Sequence, residues 1–225
     1  AETWGRGADE CLTTVKNQEA PAHMPQAKRS LGLIYAVNPF GADHQSSEHD
    51  PYYEEGVADF NLNRLKEIGL GTPQLPRSLG PEKVRFAYLT EVFYSMMDTL
   101  ELCQFVYGPT WCLYGPNDTA EMVKAVTGWG VTVDELMTVG KRRLNLMRVF
   151  NAREGFTRKD DQLPKKFYQA LTGTGPTTGV AVTHEEIETA LDEYYRLAGF
   201  TADGIPTRDM LKALDLEWAA AHLPA

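Results

Sequence analysis

The sequence predicts an all-α protein. Apolar residues recur at helical spacing along nearly the whole chain, two capping boxes mark helix starts, and no stretch shows convincing strand alternation. Val84, Leu89, Val92, Phe93, Met96, Met97 and Leu100 give a broad apolar face. Pro81 suits the first position of a helix, so a central core helix is predicted from there to about Cys103. Thr132-Val133-Asp134-Glu135 and Thr183-His184-Glu185-Glu186 each pair a hydroxyl with a Glu three residues on, which satisfies two orphan N–H groups reciprocally. Helices follow over about 133–150 and 184–198, the second ended by Gly199, and Thr207 offers a cap for a last helix near 208–215. Nearer the start, an apolar patch within 26–37 (Leu31, Leu33, Ile34, Tyr35) runs into a break at Asn38-Pro39-Phe40-Gly41. The polar stretch 45–56 reads as a loop, 57–68 as a short helix, and 172–180 as a second loop.

Composition narrows the function classes. With 225 residues, 43% of them apolar, the chain can bury a substantial core. Its 22 basic and 31 acidic residues leave a formal charge of -9, which argues against broad phosphate-backbone binding, so no nucleic acid partner is expected. No apolar run approaches the roughly 18 residues a membrane span needs, and no membrane partner is expected. The start Ala1-Glu2-Thr3-Trp4 lacks the layout of a signal peptide and has no Met, so a chain beginning inside a longer polypeptide, or a processed one, is expected. Three cysteines, Cys11, Cys103 and Cys112, form no paired spacing and suit a reduced, cytoplasmic setting.

Generic motifs are absent: no phosphate loop, nucleophile elbow or complete cysteine cluster. Three local features carry chemistry. In Asp98-Thr99-Leu100-Glu101-Leu102-Cys103, Asp98 and Leu102 fall one helical turn apart, and Cys103 follows at the expected helix end. A thiolate there can ligate iron, and the carboxylate can accept N–H groups of a heterocycle. The same residues also read as a small buried apolar cysteine and a solvated aspartate. In Gly41-Ala42-Asp43-His44, a His at a Gly-containing break can be aimed into a cavity as an acid or base, or simply bond the backbone. The run from Arg142 to Phe156 reads as structural, its apolar residues facing a core and its Arg and Asn side chains tying backbone or neighbouring helices.

The run from Arg148 to Pro164 resembles the R-x-F-N-x-R-E-G-x-x-R-x-D-D-x-L-P signature of the aldehyde:ferredoxin oxidoreductase family. Other pieces follow in the family's order. Val15-Lys16 with Glu19 and Pro21 resembles V-K-G-x-E-x-P, and Gly32–Ala36, Gly41-Ala42-Asp43-His44 and the D-x-x-x-L-C element at Asp98–Cys103 come next. The tail Leu191–Tyr195, Gly199 and Gly204-Ile205-Pro206-Thr207 closes the pattern.

The resemblance implies the all-α, multihelical carboxy-terminal part of a longer enzyme, with residues 1–25 ending the preceding domain or connecting to it and 26–225 forming the carboxy-terminal domain. It implies a tungsten (or molybdenum) bis-pterin and a [4Fe–4S] cluster. Cys103 would be the fourth cluster ligand, Asp98 and the Leu102–Cys103 backbone would hold the pterin, and His44 would move protons near the metal. The implied partners are the rest of the parent enzyme, namely a pterin-binding β domain and a cysteine-cluster domain, together with an aldehyde substrate and ferredoxin or a related acceptor. One thiolate cannot secure a cubane, so the isolated chain would be inactive. Departures bear on the substrate: Asn17 stands where the family often has Gly, Met24-Pro25-Gln26 replaces D-P-R, and Gln45–Asp50 lacks the basic residue of typical aldehyde oxidisers. A relative of the benzoyl-CoA reductase catalytic subunit, or a non-catalytic helical assembly module, are the alternatives. Cys11 and Cys112 match no ligand position.

Overall fold

A computed structural model describes residues 3–5 and 7–224, so Ala1 and Glu2 of the amino-terminal stretch lie outside it. Among the described residues the architecture is eight α-helices and one two-stranded hairpin: α1 Ala8–Cys11, β1 Thr14–Val15, β2 Gln18–Glu19, α2 Arg29–Val37, α3 Asp59–Glu67, α4 Pro81–Thr99, α5 Pro116–Thr127, α6 Val133–Arg153, α7 His184–Ala198 and α8 Arg208–Ala213. The fold is all-α. No helix is long and apolar enough to cross a membrane among these residues.

The middle of the molecule is α4, about 28 Å long at the usual rise. Thirteen of its 19 residues are buried, on every side, because α2, α6 and α7 pack around it. Both predicted capping boxes form: Thr132 accepts from the Glu135 N–H and Thr183 from the Glu186 N–H, with the Glu side chains reaching back. Thr207 caps α8 by accepting from Met210 N–H. A smaller apolar cluster, Val149, Leu211, Leu214, Leu216, Ala219 and Ala220, seats α8 and the carboxy-terminal turn against α6.

Three expectations need correction. Helix α4 stops at Thr99, four residues before Cys103. Glu101 takes a left-handed backbone (φ 56), the Leu102 N–H donates to the Met97 carbonyl (3.0 Å) and the Glu101 N–H to Asp98 (3.2 Å). This double closure ends a helix with its last carbonyls satisfied. It has Glu where Gly is usual, so the stop carries no composition signal. Asp98 and Leu102 therefore do not share a helical face. Second, α5 was not predicted, although Pro116 opens it and Gly128 (φ 78) closes it in the expected asymmetry. Third, in the Arg142–Phe156 run the apolar residues do not all face inward: Phe150 is 55% exposed.

The polar half of that reading holds. Arg148 is buried and makes a two-pronged pair with Asp161 (2.9 and 2.8 Å), while Lys16 reaches the same carboxylate at 2.7 Å and Tyr195 donates to it at 2.5 Å. Burial alone would raise the Asp161 carboxyl, but Arg148 and Lys16 hold it below the usual carboxylate range. The same cations close the end of α2, Lys16 donating to the Ala36 carbonyl and Arg148 to Val37 (3.3 Å), while the Asn151 amide donates to Pro39 just beyond (2.6 Å). Donors belong at a helix carboxy-terminus, where carbonyls lack partners. The start of α2 is closed by Asp50, 20 residues on, which accepts from Ser30 N–H (3.0 Å), Leu31 N–H (3.3 Å) and the buried Lys83 (3.1 Å).

Candidate functional site

The end of α2 hands over to the His44 loop. Gly41 has φ +100, and a Cβ there would meet the Val15 carbonyl at 2.4 Å and the Gln18 Cβ at 2.6 Å. Only glycine allows both the backbone conformation and this approach of the hairpin. Asp43 then folds the loop on itself, accepting from Gln45 N–H (3.0 Å) and from the Ser46 hydroxyl (2.7 Å), which in turn accepts from Asn38 (2.7 Å). His44 is partly buried.

Across from this loop lies the turn after α4. Gln104, next to Cys103, donates from Nε2 to the Gln45 carbonyl, next to His44, at 2.7 Å. Two candidate segments 59 residues apart are thereby joined directly. Cys103 is exposed, which removes the reading of it as a small buried apolar residue; its carbonyl accepts from Val106 (2.9 Å) and Tyr107 (3.0 Å). Leu102 is partly buried against the core. Asp98 is paired with Arg143 at 3.1 Å, its side chain 38% exposed, and is not simply solvated. Burial, opposed by Arg143 and reinforced by the nearby Asp43, pushes the Asp98 carboxyl up. Cys112, by contrast, is buried, with its thiol donating to the Gln104 carbonyl at 3.0 Å and pushed up to about 12 by burial and Glu48. Cys112 is held as a neutral thiol inside the fold.

Sequence reading missed the surroundings of His44. Its ring lies 5.0 Å from that of His23 and 6.2 Å from that of His49. Lys28 Nζ stands between the other two, 3.1 Å from His23 Nδ1 and 2.9 Å from His49 Nδ1. An ammonium only donates, so both Nδ1 atoms accept and both rings carry their hydrogen on Nε2. His49 Nε2 donates that hydrogen to the His44 carbonyl at 2.8 Å. The three histidines share no motif spacing, so nothing in the sequence grouped them. Burial, and next the Lys28 charge, hold His23 down at about 4. Lys28→Met should raise its titration by about one pH unit, read in ring-nitrogen NMR. The unfolded chain protonates this ring near its ordinary value while the fold refuses the proton to about pH 4, so acidification through that window weakens the fold. In the variant the loss should be smaller; an unmoved midpoint would show that burial alone depresses it.

Among the described residues no three His, Cys, Asp or Glu side chains are placed to hold a metal ion. The exposed Cys103 thiol is one donor, too few to hold a metal by itself.

The family sequence model described as aldehyde ferredoxin oxidoreductase, domains 2 and 3, matches residues 1–216. The chain belongs to the aldehyde ferredoxin oxidoreductase family. It is 33% identical over 206 residues to the tungsten-containing aldehyde ferredoxin oxidoreductase of Pyrococcus horikoshii, covering 90% of this chain and 30% of that protein. The Pyrococcus furiosus protein of the same name is 30% identical over 219 residues, 96% of this chain and 32% of its own. This family member therefore spans about 30% of the length of those relatives. The WOR-like subunit of the aliphatic sulfonate oxidoreductase of P. furiosus is 31% identical over 142 residues, 60% of this chain and 21% of its own. In fold, the family chain superposes with TM-score 0.72 and 20% identity on the active site complex BamBC of benzoyl coenzyme A reductase, in complex with 1,5-dienoyl-CoA, over 98% of this chain and 35% of that one.

Proposed function

We propose that this chain is the carboxy-terminal part of a tungsten- or molybdenum-pterin oxidoreductase that converts an aldehyde and water to a carboxylic acid, delivering two electrons to ferredoxin or a similar acceptor. The observation that carries this reading is the Gln104–Gln45 hydrogen bond (2.7 Å), which sets the His44 loop beside the Asp98–Cys103 turn. When bound, the pterin-held metal would supply two-electron oxidation, and a [4Fe–4S] cluster would supply one-electron transfer onward. Cys103, exposed at its turn, is the fourth cluster ligand. Asp98 accepts hydrogen bonds from pterin N–H groups and is steadied by Arg143, and the Leu102–Cys103 backbone lines the same group. His44 moves a proton at the reacting centre, with its loop held by His49 and Asp43.

The remaining cluster thiolates and the pterin cradle come from the rest of the parent enzyme, a pterin-binding β domain and a cysteine-cluster domain. Residues 1–25 end or connect to the preceding helical domain, and the isolated chain is inactive. Three free cysteines accord with a reducing, cytoplasmic setting. Reductive chemistry on an aromatic thioester is the second reading, favoured by the fold shared with the benzoyl-CoA reductase complex.

The test is metal content. The full-length parent, expressed anaerobically, should hold about one tungsten or molybdenum and about four irons per chain. Cys103→Ala should lose iron. Folded protein without metal in either form would leave the non-catalytic assembly module as the better reading. With metal present, turnover of aldehydes against aryl-CoA thioesters with a viologen dye separates the two enzymes.

A further inference from the structure

Behind Asp98, the same face of α4 carries two more polar residues. Glu91 and Ser95 precede it by seven and three positions, so Glu91 lies two turns away, about 10 Å along the axis. Ser95 donates to the Gly140 carbonyl (3.1 Å) and accepts from Arg143 Nη1 (3.3 Å). That same Arg143 nitrogen reaches Asp98 at 3.1 Å.

Glu91 is 1% exposed. Its Oε2 accepts the Tyr194 hydroxyl at 2.5 Å, but its Oε1 is buried with no hydrogen-bond partner. The residue lines a small cavity with Asn38, Ser46, Tyr94, Ser95, Asp98 and Arg143. The cavity's volume of about 10 Å³ is close to what one water needs. A bare carboxylate oxygen so placed loses its hydration with nothing in return, whereas a carboxylic acid donating to one water is satisfied.

The charges around it leave that balance intact. Tyr88, Tyr94 and Asp98 face it from α4, Arg143 and Arg148 from α6, Tyr194 from α7, and Lys16 and Asp161 from the buried pair beyond. Arg148 and Lys16 favour the ionised form, but Asp161 already holds both within 2.8 Å and opposes it. Burial dominates and lifts Glu91 to about 7.

We propose that Glu91 is a proton-exchanging residue of the proposed reaction, placed behind Asp98 and communicating with it through one water in this cavity. The Glu91 O–H bond breaks as an O–H bond forms on the water, and the proton leaves past the Asp98–Arg143 pair. The reverse transfer reprotonates Glu91 when the group facing Asp98 gains negative charge. No electrons pass through Glu91, which acts as an electrostatic counterweight one step from the cofactor. The coupling rests on the reading that Asp98 faces a redox group; the proton site itself does not.

Infrared spectroscopy of the 225-residue chain tests the site. A protonated-carboxyl band should persist above pH 5, fall by half near pH 7 and shift in D₂O, and Glu91→Gln should remove it. Glu48, the other buried glutamate with a raised carboxyl, is separated by Glu48→Gln. If Glu91→Gln does not fold, Tyr194→Phe assigns the band by shifting its frequency. A Glu91 band absent at pH 5.5, or silent to D₂O, overturns the proposal. In the assembled holoenzyme, proton uptake on reduction, followed with an indicator dye, should be lower in Glu91→Gln than in wild type. Equal uptake at equal metal content also overturns it. A metal-free holoenzyme would instead sink the functional reading, and the infrared band would then decide the proton site alone.

Discussion

Asp161→Ala is expected to destabilise the protein by about 3–5 kcal/mol, because it strands two buried cations. Arg148 is 4% exposed as a residue and the Lys16 side chain 2%. Each loses its only ion-pair partner among the described residues, and Tyr195 loses the acceptor for its hydroxyl. Neither cation can turn to solvent without leaving the carbonyls of Ala36, Val37 and Gly204 that it also serves. The damage should therefore reach the His44 loop, which starts where those carbonyls end. Urea unfolding at neutral pH measures the loss, and amide exchange over residues 36–44 should rise with it. A cost under about 1 kcal/mol would mean that water or a rearranged partner replaces the carboxylate.

Gly140→Ala should also destabilise, by about 3 kcal/mol. A Cβ at this position would lie 2.0 Å from the Val92 carbonyl oxygen and 3.1 Å from the Met96 amide nitrogen. Both are backbone atoms of α4, so no side chain can step aside, and α4 and α6 must separate where they cross. The sign is diagnostic. In an exposed helix interior the same change stabilises by about 1 kcal/mol, since alanine loses less backbone freedom on folding. Thermal unfolding decides, and a raised midpoint would mean that the two helices do not approach closely here. Because Gly140 also receives the Ser95 hydroxyl, separation should loosen Arg143 and with it Asp98.

Helix starts were legible because their causes are local. Thr132 with Glu135, Thr183 with Glu186, and Thr207 each lie within three residues of the groups they satisfy, so composition and spacing suffice. Helix ends were less so. The stop of α4 depends on a left-handed Glu101, a residue with no special taste for that conformation, held by the packing of Leu102. Helix α5 did carry its Pro and Gly signals, but it buries only Pro116, Thr119 and Ala120, so no run of large core residues marked it.

Site residues divide the same way. His44, Asp98, Leu102 and Cys103 were singled out by short motifs and a family likeness, and the structure brings their two segments together through Gln104 and Gln45. His23, Lys28 and His49 went unseen because their grouping depends on how the loops around α2 fold, and no periodicity encodes that. Arg148 and Asp161 were legible as a motif, yet not as an ion pair.

The sequence by itself determined the class of fold, the positions where most helices begin, and the family, since each is written in neighbouring residues or in their order. Tertiary structure alone decided which charges are buried together, where α4 releases the chain toward Cys103, and which carboxyl burial pushes up. Those outcomes depend on desolvation and on partners tens of residues away, and both exist only once the helices have packed.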